Sequence, residues 1–224
     1  MEKTQILEAL NKAKEISPVR NFKQSIDIII NLRGINMKKT EHNIDVFVSL
    51  PYGKGKKTRV CALIGPELED NAKMVCDKYI LVDDFPKYKK SDIRKVAEDF
   101  NFFIAQANIM PKIASSFGRV LGPRGKMPNP KAGCIVPPNA NLTQIYERLQ
   151  KTVRVNSKSS PLLQCSVGTE DTSLEHIADN VLTVYSSVLN ILPNEKNNIK
   201  DVYLKFTMGK PVKIQEKVKE VRRK

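Results

Sequence analysis

The chain has 224 residues, 41% of them hydrophobic, with 38 Lys and Arg against 24 Asp and Glu and a net charge of +14. This composition excludes a disordered basic tail and leaves room for one large domain or two of ordinary size. Because no basic amphipathic helix with large apolar anchors is present, the charge favours nucleic acid over a membrane as partner. No apolar run approaches the roughly 20 residues of a membrane span, and residues 1–15 lack the apolar core of a signal peptide. We therefore expect a cytoplasmic protein.

The first predicted elements are a charged amphipathic helix over residues 1–15 and two strands. Polar and apolar side chains alternate from Phe22 to Leu32, and the alternation returns from Ile44 to Leu50, where Pro51 ends it. A period of two is typical of strands that bury one face. We expect both strands to belong to an antiparallel or mixed sheet with one covered face.

The middle of the chain has a different pattern. RVCALIG, YILV and FFIA are short, continuous apolar runs, and the helix-like stretches PELEDNAKMVCDK and SDIRKVAEDF separate them. Ser91 is a candidate N-cap for the second of these helices, and NLTQIYERLQKTV predicts a further helix. Continuous apolar strands that alternate with helices indicate βαβ units and a parallel sheet buried on both faces.

After residue 155 the one-faced strand pattern returns. LLQCSVG predicts a strand, TSLE fits a capping box over Thr172–Glu175 at the start of a long amphipathic helix, and VYLKF alternates again. Both ends of the chain share a strand style that the middle lacks. We therefore predict an α/β protein of two domains, in which residues 1–59 and 152–224 form one domain and residues 60–151 are inserted into it.

The stretch GRVLGPRGKMPNP crowds glycines, prolines and cations together, as a phosphate-binding loop would. A P-loop requires G-x-x-x-x-G-K-[ST], but here Gly125-Lys126 is followed by Met127, and Val120 stands where the first glycine should be. The G-x-G-x-x-G fingerprint fails at Val120 as well, and the prolines remove amide donors from the loop. The pattern disfavours nucleotide binding by this loop.

Catalytic and metal-binding patterns are equally weak. The two histidines, His42 and His176, have no Cys or second His at metal-ligand spacing, and the four cysteines form no C-x-x-C pair. We expect free thiols, no metal, no cofactor and no enzymatic activity. One alternative stays open, a nucleotide- or phosphometabolite-binding enzyme that uses the inserted domain, because parallel sheets place ligand crevices at their strand carboxyl ends.

Extended to SFGRVLGPRGKMPNPKAG, the same stretch closely resembles the signature of a ribosomal protein family. This is the large-subunit protein of the mobile side stalk, ribosomal protein L-one. RNFKQSIDIIINLRGINMKK, SLPYGKGK and VYLKFTMGKPVKI resemble that family's corresponding segments in the same order, so the resemblance spans nearly the whole chain. The length and the KFTMGK ending are similar to archaeal members. The resemblance implies a split α+β domain from both termini with an inserted Rossmann-like parallel-sheet domain, which agrees with the strand patterns.

The resemblance also implies a function. Members of the family bind the stalk region of large-subunit rRNA near the tRNA exit site, and the implied roles are to assist release of deacylated tRNA and to repress translation of the chain's own mRNA. The implied partners are therefore large-subunit rRNA, the protein's own mRNA, exit-site tRNA and the ribosome. We expect a protein of the cytoplasmic ribosome that is a monomer when free and is not an enzyme.

Carried over residue by residue, the family's RNA surface includes three positions near the first predicted strand, Phe22, Ser25 and Asp27. Phe22 has the opposite parity to the other two, so it should lie at the strand's start and turn outward. Asp27 is unusual beside a polyanion, and we expect it to orient basic neighbours or to accept a hydrogen bond from a base amine or a 2′-OH. Lys158 and Lys205 are candidates for phosphate contacts.

The second part of the implied RNA surface is Thr207-Met208-Gly209. Thr207 offers a hydroxyl that can give or take a hydrogen bond with a 2′-OH, Met208 an adaptable apolar contact, and Gly209 close approach of a sugar–phosphate backbone. The low aromatic content, 6% with no Trp, favours a folded RNA over a single strand. A secondary nucleic-acid contact is expected from three cations of the inserted domain: Arg119, Arg124 and Lys126.

Overall fold

The computed structural model describes residues 1–35, 44–157 and 160–214. The described part contains six α-helices: α1 (Lys3–Ile16), α2 (Glu69–Val75), α3 (Lys90–Asp99), α4 (Met110–Leu121), α5 (Leu142–Lys151) and α6 (Leu174–Leu189). It contains ten strands: β1 (Ser25–Leu32), β2 (Asp45–Ser49), β3 (Val60–Ile64), β4 (Lys78–Leu81), β5 (Phe102–Gln106), β6 (Ile135–Val136), β7 (Thr152–Asn156), β8 (Leu162–Thr169), β9 (Ile199–Phe206) and β10 (Val212–Lys213).

The chain divides into two compact units. The first, here called the split unit, consists of Met1–Lys56 and Val153–Lys224, and the second, here called the inserted unit, is the continuous segment Lys57–Thr152. Each unit has its own hydrophobic core. The prediction of an α/β fold with a split α+β domain and an inserted parallel-sheet domain is confirmed.

The split unit is built on a four-stranded sheet with the order β10-β9-β1-β8, and β1 pairs antiparallel with both β8 and β9. Buried and half-buried residues alternate along β1 and β9. The buried face carries Ile26, Ile28 and Ile30 of β1 into the core that α1 and α6 complete. The other face carries the odd-numbered residues of β1 and β9. The period-two pattern thus indicated the correct face of both strands.

A two-stranded sheet of β2 and β7 completes the described strands of the split unit. The Arg154 guanidinium donates from Nε and Nη2 to the two carboxylate oxygens of Asp45, both at 2.7 Å. This fork-to-fork arrangement is the strong form of an Arg–carboxylate pair, and the hydrogen bond to Asp45 raises the pKa of Arg154.

The inserted unit is built on a parallel sheet with the order β4-β3-β5-β6. The central strand β3 is buried along its whole length, as its continuous apolar sequence predicts. The edge strand β4 is mostly half-buried, because it has a neighbouring strand on one side only. Full burial therefore holds for the central strand and not for this edge strand.

Two expected helix caps are displaced by one or two residues. Helix α3 begins at Lys90 with Lys89 as its N-cap, so Ser91 lies inside the first turn, where its hydroxyl contacts the Asp92 carboxylate at 3.4 Å. At α6 the N-cap is Ser173, whose Oγ accepts a hydrogen bond from the backbone N–H of His176. A helix begins where the backbone leaves the extended conformation. The residue type alone does not determine that position.

Candidate nucleic-acid interface

The start of β1 and the end of β9 lie side by side at one end of the split unit's sheet, where Ile26 pairs with Phe206. The adjacent residues, Ser25 and Thr207, are joined by three hydrogen bonds. The Thr207 N–H donates to the Ser25 carbonyl at 3.0 Å, and the Ser25 N–H donates to Thr207 Oγ1 at 3.0 Å. Thr207 Oγ1 also donates to the Ser25 carbonyl at 3.2 Å.

These bonds determine which hydrogen bonds the Thr207 hydroxyl can still make with a ligand. A hydroxyl has one proton and two lone pairs. The proton goes to the Ser25 carbonyl and one lone pair accepts the Ser25 N–H. The exposed hydroxyl therefore keeps acceptor capacity, and toward a ligand it acts as an acceptor of a hydrogen bond, whereas the sequence left both directions open.

The turn after β9 presents Met208 to solvent, with 53% of its surface exposed. Its backbone N–H donates to the Gln24 side-chain carbonyl at 3.1 Å, and the Gly209 N–H donates to the Phe206 carbonyl at 3.0 Å. A Cβ at Gly209 would lie 3.1 Å from Ser17 Oγ and 3.2 Å from Phe206 Cβ. Tight packing against Ser17 thus gives this glycine a structural role in addition to the close ligand approach expected from the sequence.

Phe22 lies before β1 and is 51% exposed, as expected for a residue that turns outward at the strand's start. Asp27 lies on the open face of β1, directly opposite Lys205 of β9 and Ser166 of β8. Side chains in such cross-strand positions are near neighbours, so Asp27 is placed to orient Lys205. The structure brings together the predicted residues Phe22, Ser25, Asp27, Lys205, Thr207, Met208 and Gly209. Lys158 lies outside the described residues.

The open face of the sheet contains further residues that the sequence analysis did not single out. Ile29 lies between Tyr203 of β9 and Gln164 of β8, and all three are at least partly exposed. They continue the row that begins with Asp27 and Lys205. Strand parity could have found them, because Tyr203 and Ile29 have the same parity as Lys205 and Asp27.

The three cations predicted as a secondary contact belong to the inserted unit, and their surroundings differ. Arg119 is exposed in the last turn of α4. Arg124 Nη2 donates to the Glu98 carboxylate at 2.8 Å. Lys126 Nζ donates to the backbone carbonyls of Ala97 at 2.6 Å and Phe100 at 2.8 Å, and burial, with a contribution from Arg124, lowers its pKa.

The Lys126 ammonium therefore caps the C-terminal end of α3, because it donates to carbonyls that have no hydrogen-bond partner within the helix. Its expected role of presenting charge to nucleic acid does not agree with these contacts, whereas Arg119 remains at the surface. Periodicity could not reveal this, because α3 ends at Asp99 and the loop that returns to it lies far along the chain.

Backbone conformation explains why glycine occurs at two positions of the same loop. Gly125 has φ +65° and follows the end of α4, where the Lys126 N–H donates to the Leu121 carbonyl at 2.9 Å. Gly133 has φ +67°, and a Cβ there would lie 1.6 Å from Arg148 Nη2, which donates to the Gly133 carbonyl. The loop ends a helix in the manner of a glycine C-cap, so its stiff turns serve folding.

The parallel sheet has a switch in strand order between β3 and β5, where ligand crevices form in such sheets. Gln106, buried at the end of β5, fills this position: its Oε1 accepts the Gly65 N–H at 2.9 Å and its Nε2 donates to the Glu67 carboxylate at 2.8 Å. The amide at the end of β3 that would face a phosphate already has a partner, and a carboxylate stands beside it.

Other kinds of site find no support within the described ranges. The four cysteines are free; burial raises the pKa of Cys61 and of Cys165 to about 12. In the part of the chain that the structure describes, no cluster of His, Cys, Asp or Glu could hold a metal ion. No helix within residues 1–35, 44–157 and 160–214 combines the length and apolarity needed to cross a bilayer.

The fold and the site define the class as a two-domain α/β protein, in which a continuous parallel-sheet domain interrupts a split antiparallel one. Within this class the chain belongs to the ribosomal protein L1p/L10e family, whose model matches residues 10–210. This is a family of structural ribosomal proteins, and membership confirms both the resemblance seen in the sequence and the prediction that the chain is not an enzyme.

Curated relatives cover nearly the whole chain. The chain is 37% identical over 218 residues to the large ribosomal subunit protein uL1 of Methanothermococcus thermolithotrophicus, covering 96% of this chain and 100% of the relative. It is 39% identical to the uL1 of Nanoarchaeum equitans, covering 93% and 98%, and 38% identical to that of Methanocaldococcus jannaschii, covering 98% and 100%. These similarities confirm the archaeal-like assignment.

Proposed function

We propose that the chain is a structural component of the large ribosomal subunit that binds the stalk region of large-subunit rRNA near the tRNA exit site. Relatives that match nearly its whole length carry the name large ribosomal subunit protein uL1, and its net charge of +14 suits a polyanionic partner. The observation that carries the proposal is the grouping of Phe22, Thr207 and Met208 at one sheet end, beside the open face of β1 and β9.

The proposed mechanism is recognition of a folded RNA by shape. Phe22 and Met208 offer exposed apolar surface to riboses or unstacked bases, and Thr207 accepts a hydrogen bond from a 2′-OH. Asp27 lies opposite Lys205 on the neighbouring strand, where its carboxylate would orient the ammonium toward a phosphate. Because folded RNA is read through its backbone, 2′-OH groups and few bases, this role does not need the aromatic platforms that single-strand binders use.

The wider proposal follows the family resemblance. The same surface would bind the protein's own mRNA and repress its translation, and the inserted unit would assist release of deacylated tRNA, with Arg119 as one of its exposed cations. The free protein is expected to be a monomer and to act on cytoplasmic ribosomes. No observation favours the enzyme alternative, since the chain belongs to a family of structural ribosomal proteins and Gln106 occupies the switch point of the parallel sheet.

Salt dependence tests the electrostatic part of the proposal. Affinity for a transcript of the stalk rRNA should fall steeply with salt, because neutralised phosphates release condensed counterions on binding. The measurement is a filter-binding or fluorescence titration at several salt concentrations. An affinity that stays flat from low to physiological salt would contradict the proposed phosphate contacts.

Substitutions at the turn test the location of the site. Thr207→Ala and Met208→Asp should each weaken binding of the stalk transcript by about 1–3 kcal/mol, the scale of a hydrogen bond lost in a buried polar interface. Met74→Asp is the matched control, because Met74 is 84% exposed on α2 of the inserted unit. If neither turn variant matters while Arg124→Ala abolishes binding, the site belongs to the inserted unit instead.

A further inference from the structure

Gln24 is a polar residue that the sequence pattern assigns to the apolar face of β1, and it is only 1% exposed. Its side-chain amide joins two segments that are far apart in sequence. Nε2 donates to the Pro18 carbonyl at 3.0 Å and contacts Ser17 Oγ at 3.4 Å, and Oε1 accepts the Met208 N–H at 3.1 Å. One buried amide thus holds both the segment before β1 and the turn after β9.

The two segments joined by Gln24 carry a concentration of exposed apolar side chains. Seven large hydrophobic residues of the described chain are exposed, and four of them lie on these segments: Ile16, Val19, Phe22 and Met208. Each of these residues has more than half of its surface in solvent, so apolar contacts restrain the side chains only in part. Their relative position therefore depends largely on the backbone beneath them. Thr207 ties the turn to Ser25 at the start of β1, and Gln24 ties it to Ser17 and Pro18 further back along the chain.

We propose that Gln24 is a positioning residue that fixes the Phe22 segment relative to the Met208 turn, so that both reach the RNA in one preformed arrangement. This inference rests on the proposed function and deepens it. The main-chain bonds of Gln24 add rigidity: its N–H donates to the Glu170 carboxylate at 3.1 Å and its carbonyl accepts the Glu170 N–H at 3.0 Å. These bonds fix the backbone from which the amide reaches the other two segments.

The physical reason is the cost of ordering. A surface that is ordered before binding loses less conformational freedom on association, so preorganisation raises affinity without a new contact. Removing the amide leaves the Met208 N–H and the Pro18 carbonyl without these partners at a partly buried site. The two segments would then shift to reach water, and the surface they form would have to be ordered again when the RNA binds.

The main experiment compares two buried amides at opposite ends of the same strand pair. Asn198, 3% exposed, precedes β9 and also bridges two segments: its Nδ2 donates to the Arg33 carbonyl at 3.0 Å and its Oδ1 accepts the Asn194 N–H at 2.7 Å. Gln24→Met and Asn198→Leu should both lower thermal stability. Only Gln24→Met should weaken binding of the stalk rRNA transcript, by on the order of tenfold, and only it should speed amide exchange at Met208.

A double-mutant cycle separates positioning from general stability. If Gln24 acts through the Met208 turn, Met208→Ala should weaken RNA binding clearly in the wild type and much less in Gln24→Met, because the two residues then act as one unit. Met208→Ala combined with Asn198→Leu should give additive effects. Additive effects in the Gln24 pair would overturn the inference.

Gln24→Glu provides a graded test if Gln24→Met folds poorly. The carboxylate still accepts the Met208 N–H but cannot donate to the Pro18 carbonyl, so affinity at pH 7.5 should fall below that of the wild type. Burial raises the pKa of a carboxyl group, and the protonated form restores the donor. The affinity of Gln24→Glu relative to the wild type should therefore recover as the pH is lowered toward about 5. No recovery, with an intact fold by circular dichroism, would contradict the positioning role.

The outcomes distinguish this inference from the proposed function. If the wild-type protein does not bind the stalk transcript, the proposed function fails and the inference fails with it. If the wild type binds, and Phe22→Ala and Met208→Ala weaken binding while Gln24→Met has no more effect than Asn198→Leu, the proposed function stands and the positioning role is wrong.

Discussion

Lys126 illustrates how a single side chain can be misjudged from its neighbours in sequence. It lies among glycines, prolines and two arginines, a setting that indicates a cationic surface. In the structure its ammonium donates to the Ala97 and Phe100 carbonyls. A cation at a helix C-terminus stabilises the carbonyls that have no helical partner, so this residue connects the loop to α3.

We predict that Lys126→Met lowers the free energy of unfolding of the inserted unit by about 1–2 kcal/mol, the scale of buried hydrogen bonds to a charged group. Urea denaturation followed by circular dichroism measures the change. Arg119→Met, at an exposed cation in the last turn of α4, is the control and should change stability by less than about 0.5 kcal/mol. Equal effects of the two substitutions would mean that the bonds of Lys126 contribute nothing to folding.

Gly133 is a loop position at which a side chain would be poorly tolerated. Its φ is +67°, and a Cβ would overlap Arg148 Nη2, which donates to the Gly133 carbonyl at 3.1 Å. We predict that Gly133→Ala destabilises the inserted unit by about 1–3 kcal/mol through strain and displacement of Arg148. Gly53→Ala is the control, because a Cβ there meets nothing within 4 Å. Thermal unfolding of both variants checks the prediction, and similar melting temperatures would contradict it.

At the scale of elements, Asp77 holds the edge strand β4 beside the start of β3. Its Oδ2 accepts the Val60 N–H at 2.9 Å, and Lys57 Nζ pairs with its Oδ1 at 2.8 Å. Burial by itself would raise the pKa of this carboxyl, but the Lys57 ammonium and the Val60 N–H outweigh it and hold the pKa below the usual 3.8. The charged form is thus favoured in the folded state.

A carboxyl group whose pKa is lowered by folding stabilises the protein above its unfolded pKa, and this stabilisation is lost as the pH falls through the folded pKa. We predict that Asp77→Asn lowers the free energy of unfolding by about 1–2 kcal/mol at pH 7, with a difference from the wild type that shrinks below about pH 4. Urea denaturation between pH 3 and pH 7 measures both. Asp70→Asn, at an exposed carboxylate of α2, is the control. A difference that stays constant with pH would show that the charge of Asp77 is not responsible.

The elements also show how far the sequence could lead. Alternating isoleucines were sufficient to place β1 in a one-faced sheet, and the continuous run VCALI was sufficient to place β3 in a parallel sheet, whereas its central position is known only from the structure. Cap positions were missed at Ser91 and Thr172, because they depend on local backbone angles. The roles of Lys126, Gln106 and Gln24 could not be predicted, since each side chain bonds to a segment that is distant in sequence.

For the candidate site, the residues themselves came from a family resemblance and not from physical patterns. Without the resemblance, Phe22 would be assigned to the core, and Met208-Gly209 would be interpreted as a plain turn that ends a strand. The structure adds which atoms are still available, above all at Thr207, whose proton is already committed to Ser25. Strand parity could have added Tyr203 and Ile29 to the site. These are the two residues that could have been predicted from the sequence and were not.

At the scale of the whole molecule, the two units have separate cores and the inserted unit is one continuous segment. We predict that a chain in which residues 57–152 are replaced by a flexible Gly/Ser linker binds the stalk transcript within about twofold of the full chain, the ordinary departure from additivity for independent sites. The full chain carrying Met208→Asp is the reference for lost binding. A tenfold loss on excision would mean that the inserted unit supplies part of the interface.

The split connectivity also sets the order in which the molecule can be made. During synthesis β1 emerges early, but its partners β8 and β9 follow only after the whole inserted unit, which can itself fold first because its strands pair within one continuous segment. Until β8 and β9 are synthesised, both edges of the isoleucine-rich β1 are unpaired. Unpaired apolar strands are prone to aggregation, so we expect the nascent chain to benefit from chaperones. The sheet end that carries Thr207 forms only once β9 has left the ribosome, so under the proposed function a chain that ends before β9 would lack the RNA-binding surface.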